Sequence, residues 1–182
     1  KARMFLLIFS SIFFNNKYPI QRESCAVNIN GSYYNLLPFQ GRDAEKFNDP
    51  NTGLTIHARM CGGFLDSDVP ASFKNHNIYS FVACNSTSDI CYPLIEKFSQ
   101  DYRPISDHDF SKGIIIEFHG QPVYMLSKYY TWIFEYTIDC DPQQSSSEIE
   151  LIEEIDASDQ IIKVRYHFSY DGACPRSTQP PT

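Results

Sequence analysis

The residues able to do chemistry are scattered along the chain. Histidines stand at His57, His76, His108, His119 and His167. None belongs to an HxxxH or HExxH pattern, so a zinc hydrolase finds no helical ligand pair. Asp107-His108-Asp109 has the composition to bind a metal or orient an imidazole, but its setting between Ser106 and Ser111 reads as a solvated loop. There is no GxSxG elbow and no phosphate-cradling glycine loop. The acids Glu148, Glu150, Glu153, Glu154, Asp156 and Asp159 lack the spacing of a calcium loop. From Glu148 to Ile152 they alternate with apolar residues, as on a half-exposed strand. The six cysteines, Cys25, Cys61, Cys84, Cys91, Cys140 and Cys174, contain no CxxC pair, which excludes zinc-ribbon and thioredoxin-like sites. In an oxidising compartment they read as three disulfides, with fifteen pairings open. Cysteines held in bridges supply no nucleophile. These residues nominate no enzyme, no cofactor and no metal.

Composition agrees. The 182 residues suit one domain, and 42% hydrophobic content supports a core. A net charge of -7 argues against nucleic acid as a partner, because phosphate binding needs clustered Lys and Arg. With 12 Tyr, 14 Phe and only 8 Gly, the chain favours strands. No apolar run is long enough for a membrane-spanning helix.

The N-terminus points to export. Lys1-Ala2-Arg3-Met4 precedes the apolar Phe5-Leu6-Leu7-Ile8-Phe9 and Ile12-Phe13-Phe14, the layout of a secretory signal peptide over residues 1–16. Asn30-Gly31-Ser32 and Asn85-Ser86-Thr87 are N-glycosylation sequons, at Asn30 and Asn85. Both fit a secreted protein or one in the endomembrane lumen (ER, Golgi or endosome).

Elements that must position any site read as strands. A polar lead-in covers 17–24. Tyr33 to Leu37 is a short apolar stretch, and Asp49-Pro50-Asn51-Thr52-Gly53 a turn. Leu54 to Met60 alternates, with Ile56 and Ala58 on one face and His57 and Arg59 on the other. Further strands are expected at 78–83, 113–118, 129–140, 148–155 and 161–170. His119-Gly120-Gln121-Pro122 reads as a hairpin turn, and Pro93 to Gln100 as one short helix. Residues 176–182 read as a disordered tail or linker. Strands this closely spaced argue for an all-β sandwich or flattened barrel.

The cysteine neighbourhoods carry more. They are Ile56-His57-Ala58-Arg59-Met60-Cys61-Gly62, then Cys84-Asn85-Ser86-Thr87-Ser88-Asp89-Ile90-Cys91, then Phe134-Glu135-Tyr136-Thr137-Ile138-Asp139-Cys140-Asp141. The last is Tyr166-His167-Phe168-Ser169-Tyr170-Asp171-Gly172-Ala173-Cys174-Pro175. From Cys25 to Pro175 this resembles the mannose 6-phosphate receptor homology domain, in which a strand ending in Cys-Asp precedes a Tyr-x-Phe strand and an Ala-Cys-Pro close. The resemblance implies a flattened β-barrel of two crossed antiparallel sheets over 25–175. It implies the pairs Cys25–Cys61, Cys84–Cys91 and Cys140–Cys174. A fourth bridge of longer family members is replaced by Val123 and Val164.

Lectins of this family hold mannose with Gln, Arg, Glu and Tyr. Tyr166 falls at the tyrosine position, and Tyr92 occupies the glutamine position. The arginine position falls near Thr131 and Trp132, and the glutamate position near Ile161. Lys128 and Asp159 are the substitutes within reach if loops shift. The resemblance therefore implies a non-enzymatic luminal or extracellular interaction module. It would bind a protein partner, as a sorting-receptor ectodomain or complex subunit. The other reading is a lectin for high-mannose or phosphomannosyl N-glycans with a rearranged site at Tyr166, Tyr92, Lys128 and Asp159. Pro180-Pro181-Thr182 suits either a linker to a membrane tether outside this chain or a true end. Adjacent strand residues face opposite ways, so of Tyr129 and Tyr130 one must face outward.

Overall fold

The computed structural model describes residues 20–23, 25–73, 78–85, 87–96, 100–145, 152–158 and 160–177. The expected signal peptide lies outside them. Among the described residues there are strands and short 3-10 turns, with no α-helix. No helix there is long and apolar enough to cross a membrane.

Three sheets form. The first holds β1 (Ile20–Glu23), β2 (Ala26–Ile29) and β3 (Ser32–Asn35). The expected lead-in thus contributes a paired strand, β1. The second runs in the order β4 (Glu45–Asn48), β5 (Thr55–Ala58), β6 (Tyr79–Cys84), β7 (Cys91–Glu96). The third contains β8 (Gln100–Pro104), β9 (Gly113–His119), β10 (Val123–Met125), β11 (Lys128–Cys140), β12 (Ile152–Ser158) and β13 (Ile161–Tyr170). Its order is β12-β13-β11-β9-β8, with β10 also on β11.

The fold is all-β, and one pairing departs from the antiparallel pattern. β13 lies parallel to β11, with Tyr136 opposite Tyr166. The reason is topological. β12 forms the outer edge, and its hairpin with β13 turns the chain back into the space beside β11.

Alternation fills the space between the second and third sheets. Trp132, Phe134, Tyr136 and Ile138 of β11 point inward beside Ile162, Val164, Tyr166 and Phe168 of β13. Phe81 of β6 stacks on Phe134 with centroids 4.1 Å apart, joining the sheets. Each such ring contributes roughly 1.5–3 kcal/mol by burial. Cys25–Cys61 ties the start of β2 to the end of β5, Cys84–Cys91 closes the β6–β7 connection, and Cys140–Cys174 fastens the end of β11. Gly172 packs so closely on β3 that a Cβ would lie 2.1 Å from the Asn35 carbonyl oxygen. Arg176, the first residue of the expected tail, pairs with Tyr33.

Two expectations are corrected. Where it is described, the segment read as a helix from Pro93 to Gln100 is instead strand, β7 as far as Glu96 and β8 from Gln100; 97–99 lie outside the described residues. The Cys84–Cys91 bridge brings the chain back against β6, and Leu94 and Ile95 are buried there. β7 is an edge strand, where Pro93 is tolerated without an N–H. The hairpin read at His119–Pro122 is a bulge. His119 faces Ile133, the Gly120 N–H donates to the Trp132 carbonyl at 2.8 Å, and Val123 faces Tyr130. The chain therefore continues along β11 without reversing. Gly120 is required because a Cβ would lie 2.9 Å from the Leu94 carbonyl oxygen and 3.0 Å from that of Trp132.

Candidate binding cleft and the adjoining hairpin

The reversal comes later, at Leu126-Ser127, between β10 and β11. Met125 faces Lys128 and Tyr124 faces Tyr129 across this hairpin. Both turn residues have positive φ, 53° and 67°. That pattern belongs to a two-residue type I′ turn, which favours Asn-Gly. The β2–β3 turn has the same geometry with the favoured residues, Asn30 at 50° and Gly31 at 83°. Leu126 in that conformation costs about 1–2 kcal/mol, and its side chain is 51% exposed. Tyr124 and Tyr129 stand beside it, also exposed, with ring centroids 5.1 Å apart. Met125, by contrast, is buried and anchors the hairpin to the core.

Tyr129 faces outward, and Tyr130 packs partly against the core. Beside Tyr130 a cleft of about 450 Å³ opens, lined by Asn51, Lys128, Tyr130, Ser158, Gln160 and Ile161 among others. Its elements are the β4–β5 turn, the start of β11 and the β12–β13 turn. Asp49 holds the first of these. Its carboxylate accepts from the Asn51 and Thr52 N–H groups at 3.2 and 2.9 Å. A second cleft of about 360 Å³, more apolar, is lined by Tyr79, Pro93, Leu94, Ile95, His119 and Val123, with Gln121.

Of the residues suggested for sugar, the structure brings Lys128 into the larger cleft. Asp159 lies outside the described residues. Tyr166 and Tyr92 sit elsewhere. Tyr166 is 2% exposed, stacked on Tyr136 at 4.6 Å and edge-on to Phe47 at 6.5 Å. Tyr92 is half-buried on β7 and packs against the core. Trp132 is wholly buried. Asn51, Tyr130, Ser158 and Gln160 are the cleft residues that sequence reasoning did not assign to a site. Their separation along the chain left no motif to find.

Of the two sequons, Asn30 is exposed on its tight turn. Asn85 is half-buried, and its side-chain oxygen accepts from the Thr87 N–H at 2.9 Å and hydroxyl at 2.7 Å.

Among the described residues, two ionic clusters lie outside the cleft. On the outer face of the third sheet, Lys163 bridges Glu117 at 3.2 Å and Glu135 at 2.9 Å. His119 approaches Glu117 at 2.7 Å. Burial raises the Glu117 pKa, but hydrogen bonds to Glu135 and Lys163 and the charges of His119 and Lys163 outweigh it, and the carboxyl is held below its ordinary value. Behind β5, Arg59 pairs with Asp68 at 2.5 Å, both buried, and donates to the Gln40 carbonyl at 2.6 Å. Asp68 also accepts from the Ala44 and Leu65 N–H groups. His57 Nδ1 lies 2.5 Å from the Asp68 carbonyl oxygen. The segment that follows β5 thus covers the His57 face of the strand through Asp68, and His57 is buried there as Ile56 and Ala58 are on the opposite face. Burial lowers the His57 pKa and nearby Lys46 adds to this, while the Asp68 carbonyl and charge oppose it. Among the described residues no group of three or more His, Cys, Asp or Glu is arranged to hold a metal. His108 is exposed, and Asp109 caps a 3-10 turn through the Ser111 N–H.

No protein-family model matches the chain. No curated protein matches its sequence. Among solved structures, the chain is similar to domain 11 of chicken IGF2R, with a TM-score of 0.46 and 11% identity over 78% of this chain and 84% of that one.

Proposed function

We propose that this is a non-enzymatic interaction module of the endomembrane lumen or the extracellular space. It binds a protein partner as a sorting-receptor ectodomain or complex subunit. The observation that carries this reading is the placement of Tyr166. The tyrosine that the family resemblance assigns to sugar is sealed in the core against Tyr136. A core tyrosine offers no hydroxyl to a ligand in solvent. Three disulfides support the compartment, since such bridges persist where conditions are oxidising.

The second reading is a lectin with a rearranged site, and the larger cleft favours it. Asn51, Lys128, Ser158 and Gln160 mix donors and acceptors beside the Tyr130 ring, the chemistry a sugar hydroxyl array needs. A glycan-array screen of the secreted, oxidised domain separates the two. The interaction-module reading expects no mannose-inhibitable signal on high-mannose or mannose 6-phosphate glycans. Inhibitable binding that Lys128→Ala abolishes would replace it with the lectin reading.

A further inference from the structure

The β10–β11 hairpin carries three exposed apolar side chains at one tip. Leu126 is 51% exposed, and Tyr124 and Tyr129 slightly more. Met125 is buried beneath the tip, and the Gly120 N–H, in the bulge that leads to it, donates to the Trp132 carbonyl. The turn is strained where it need not be. The same turn type at Asn30-Gly31 uses residues suited to positive φ, whereas here leucine and serine occupy those positions. Strain kept at an exposed apolar residue points to a use for that residue. Lys128, at the base of the tip, is exposed and has no ion-pair partner among the described residues.

We infer that this hairpin docks into an apolar pocket of a protein partner whose rim carries a carboxylate for Lys128. The inference rests on the interaction-module reading and names its surface. Charge selects the occupant. A membrane surface would meet one cation on the tip of a chain with net charge -7, without the basic cluster that anionic lipid requires. A second copy would offer the apolar cleft at Leu94 and Ile95, but none of the residues lining that cleft is an acid. Two rigid aromatics around a central leucine suit a pocket in a protein, where buried anchors carry most of the affinity.

The test is photo-cross-linking of the full chain, expressed and secreted by its own cells. Leu126→p-benzoylphenylalanine probes the tip, and the same replacement at Leu65 and Ile90 probes two other exposed apolar sites. The expected result is a protein adduct from position 126, mapped to a peptide with apolar residues and an acid. Lys128→Glu reduces it about tenfold through like-charge repulsion, and Lys128→Arg preserves it. A shared melting temperature among the variants shows that folding is retained. An adduct of twice the chain mass, a lipid adduct alone, or an adduct indifferent to Lys128→Glu overturns the inference. Protein adducts from position 65 or 90 and none from 126 overturn the hairpin assignment while leaving the interaction module standing. No protein adduct from any position overturns both.

Discussion

Tyr136 and Tyr166 lie face to face at the centre of the third sheet, ring centroids 4.6 Å apart and planes 16° apart. They are register partners of the parallel β11–β13 pair, so their stacking follows from the pairing itself. The Tyr136 hydroxyl reaches Glu45 at 3.4 Å. The two rings bridge one sheet to the other.

This placement separates stability from sugar binding. Tyr166→Ala opens a cavity in the core and costs about 3–5 kcal/mol in denaturant unfolding. Tyr166→Phe keeps the ring, and its midpoint moves by a small fraction of that. A Tyr166→Ala variant as stable as the parent would contradict the core role.

The Leu126-Ser127 turn is the reverse case. Leu126→Asn with Ser127→Gly supplies the residues this geometry favours and raises unfolding free energy by about 1–2 kcal/mol. The same change removes the apolar tip and abolishes the position-126 contact with a partner. Gain of stability at the expense of binding is the expected signature of strain held for function.

Acid should weaken the fold through His57. The folded pKa is lowered, so the unfolded chain binds more protons once the pH falls below the ordinary histidine value of about 6.5. The His57 contribution is complete above that value. It declines through the window down to the folded pKa. The groups around the ring are Lys46 on β4, Arg59 just after β5, and Asp68 on the covering segment. Stability measured against pH should slope downward on acidification below about 6.5. His57→Gln should flatten part of that slope; an unchanged slope would remove His57 from the account.

The Cys140–Cys174 bridge spans 34 residues and closes the loop that carries β12 and β13. A Cys140→Ser, Cys174→Ser double variant should lose roughly 3–4 kcal/mol by the loop-entropy relation. Retention of full stability under oxidising conditions would argue against the bridge.

Much of the fold was legible in local pattern. Alternation marked β5, strands were expected where β11 and β13 lie, and the Asp49–Gly53 turn carried its own chemistry. The Pro93–Gln100 segment was not legible, because its state is fixed by the Cys84–Cys91 bridge and by pairing with β6. Gly120 and Pro122 looked like turn residues, but a bulge uses the same residues, and only the continuing register on β11 tells them apart. The cleft was half legible. Lys128 was nominated by proximity to an expected position, whereas Asn51 and Gln160 reach it only through the packing of separate turns. The tip was invisible, since Leu-Ser gives no signal for a type I′ turn.

The most direct measurement is an NMR titration of the isotope-labelled, oxidised domain with mannose and mannose 6-phosphate. The account predicts no saturable shifts at the backbone amides of Lys128, Tyr130, Gln160 or Tyr166. Saturable shifts confined to those amides would contradict it and make the cleft a sugar site.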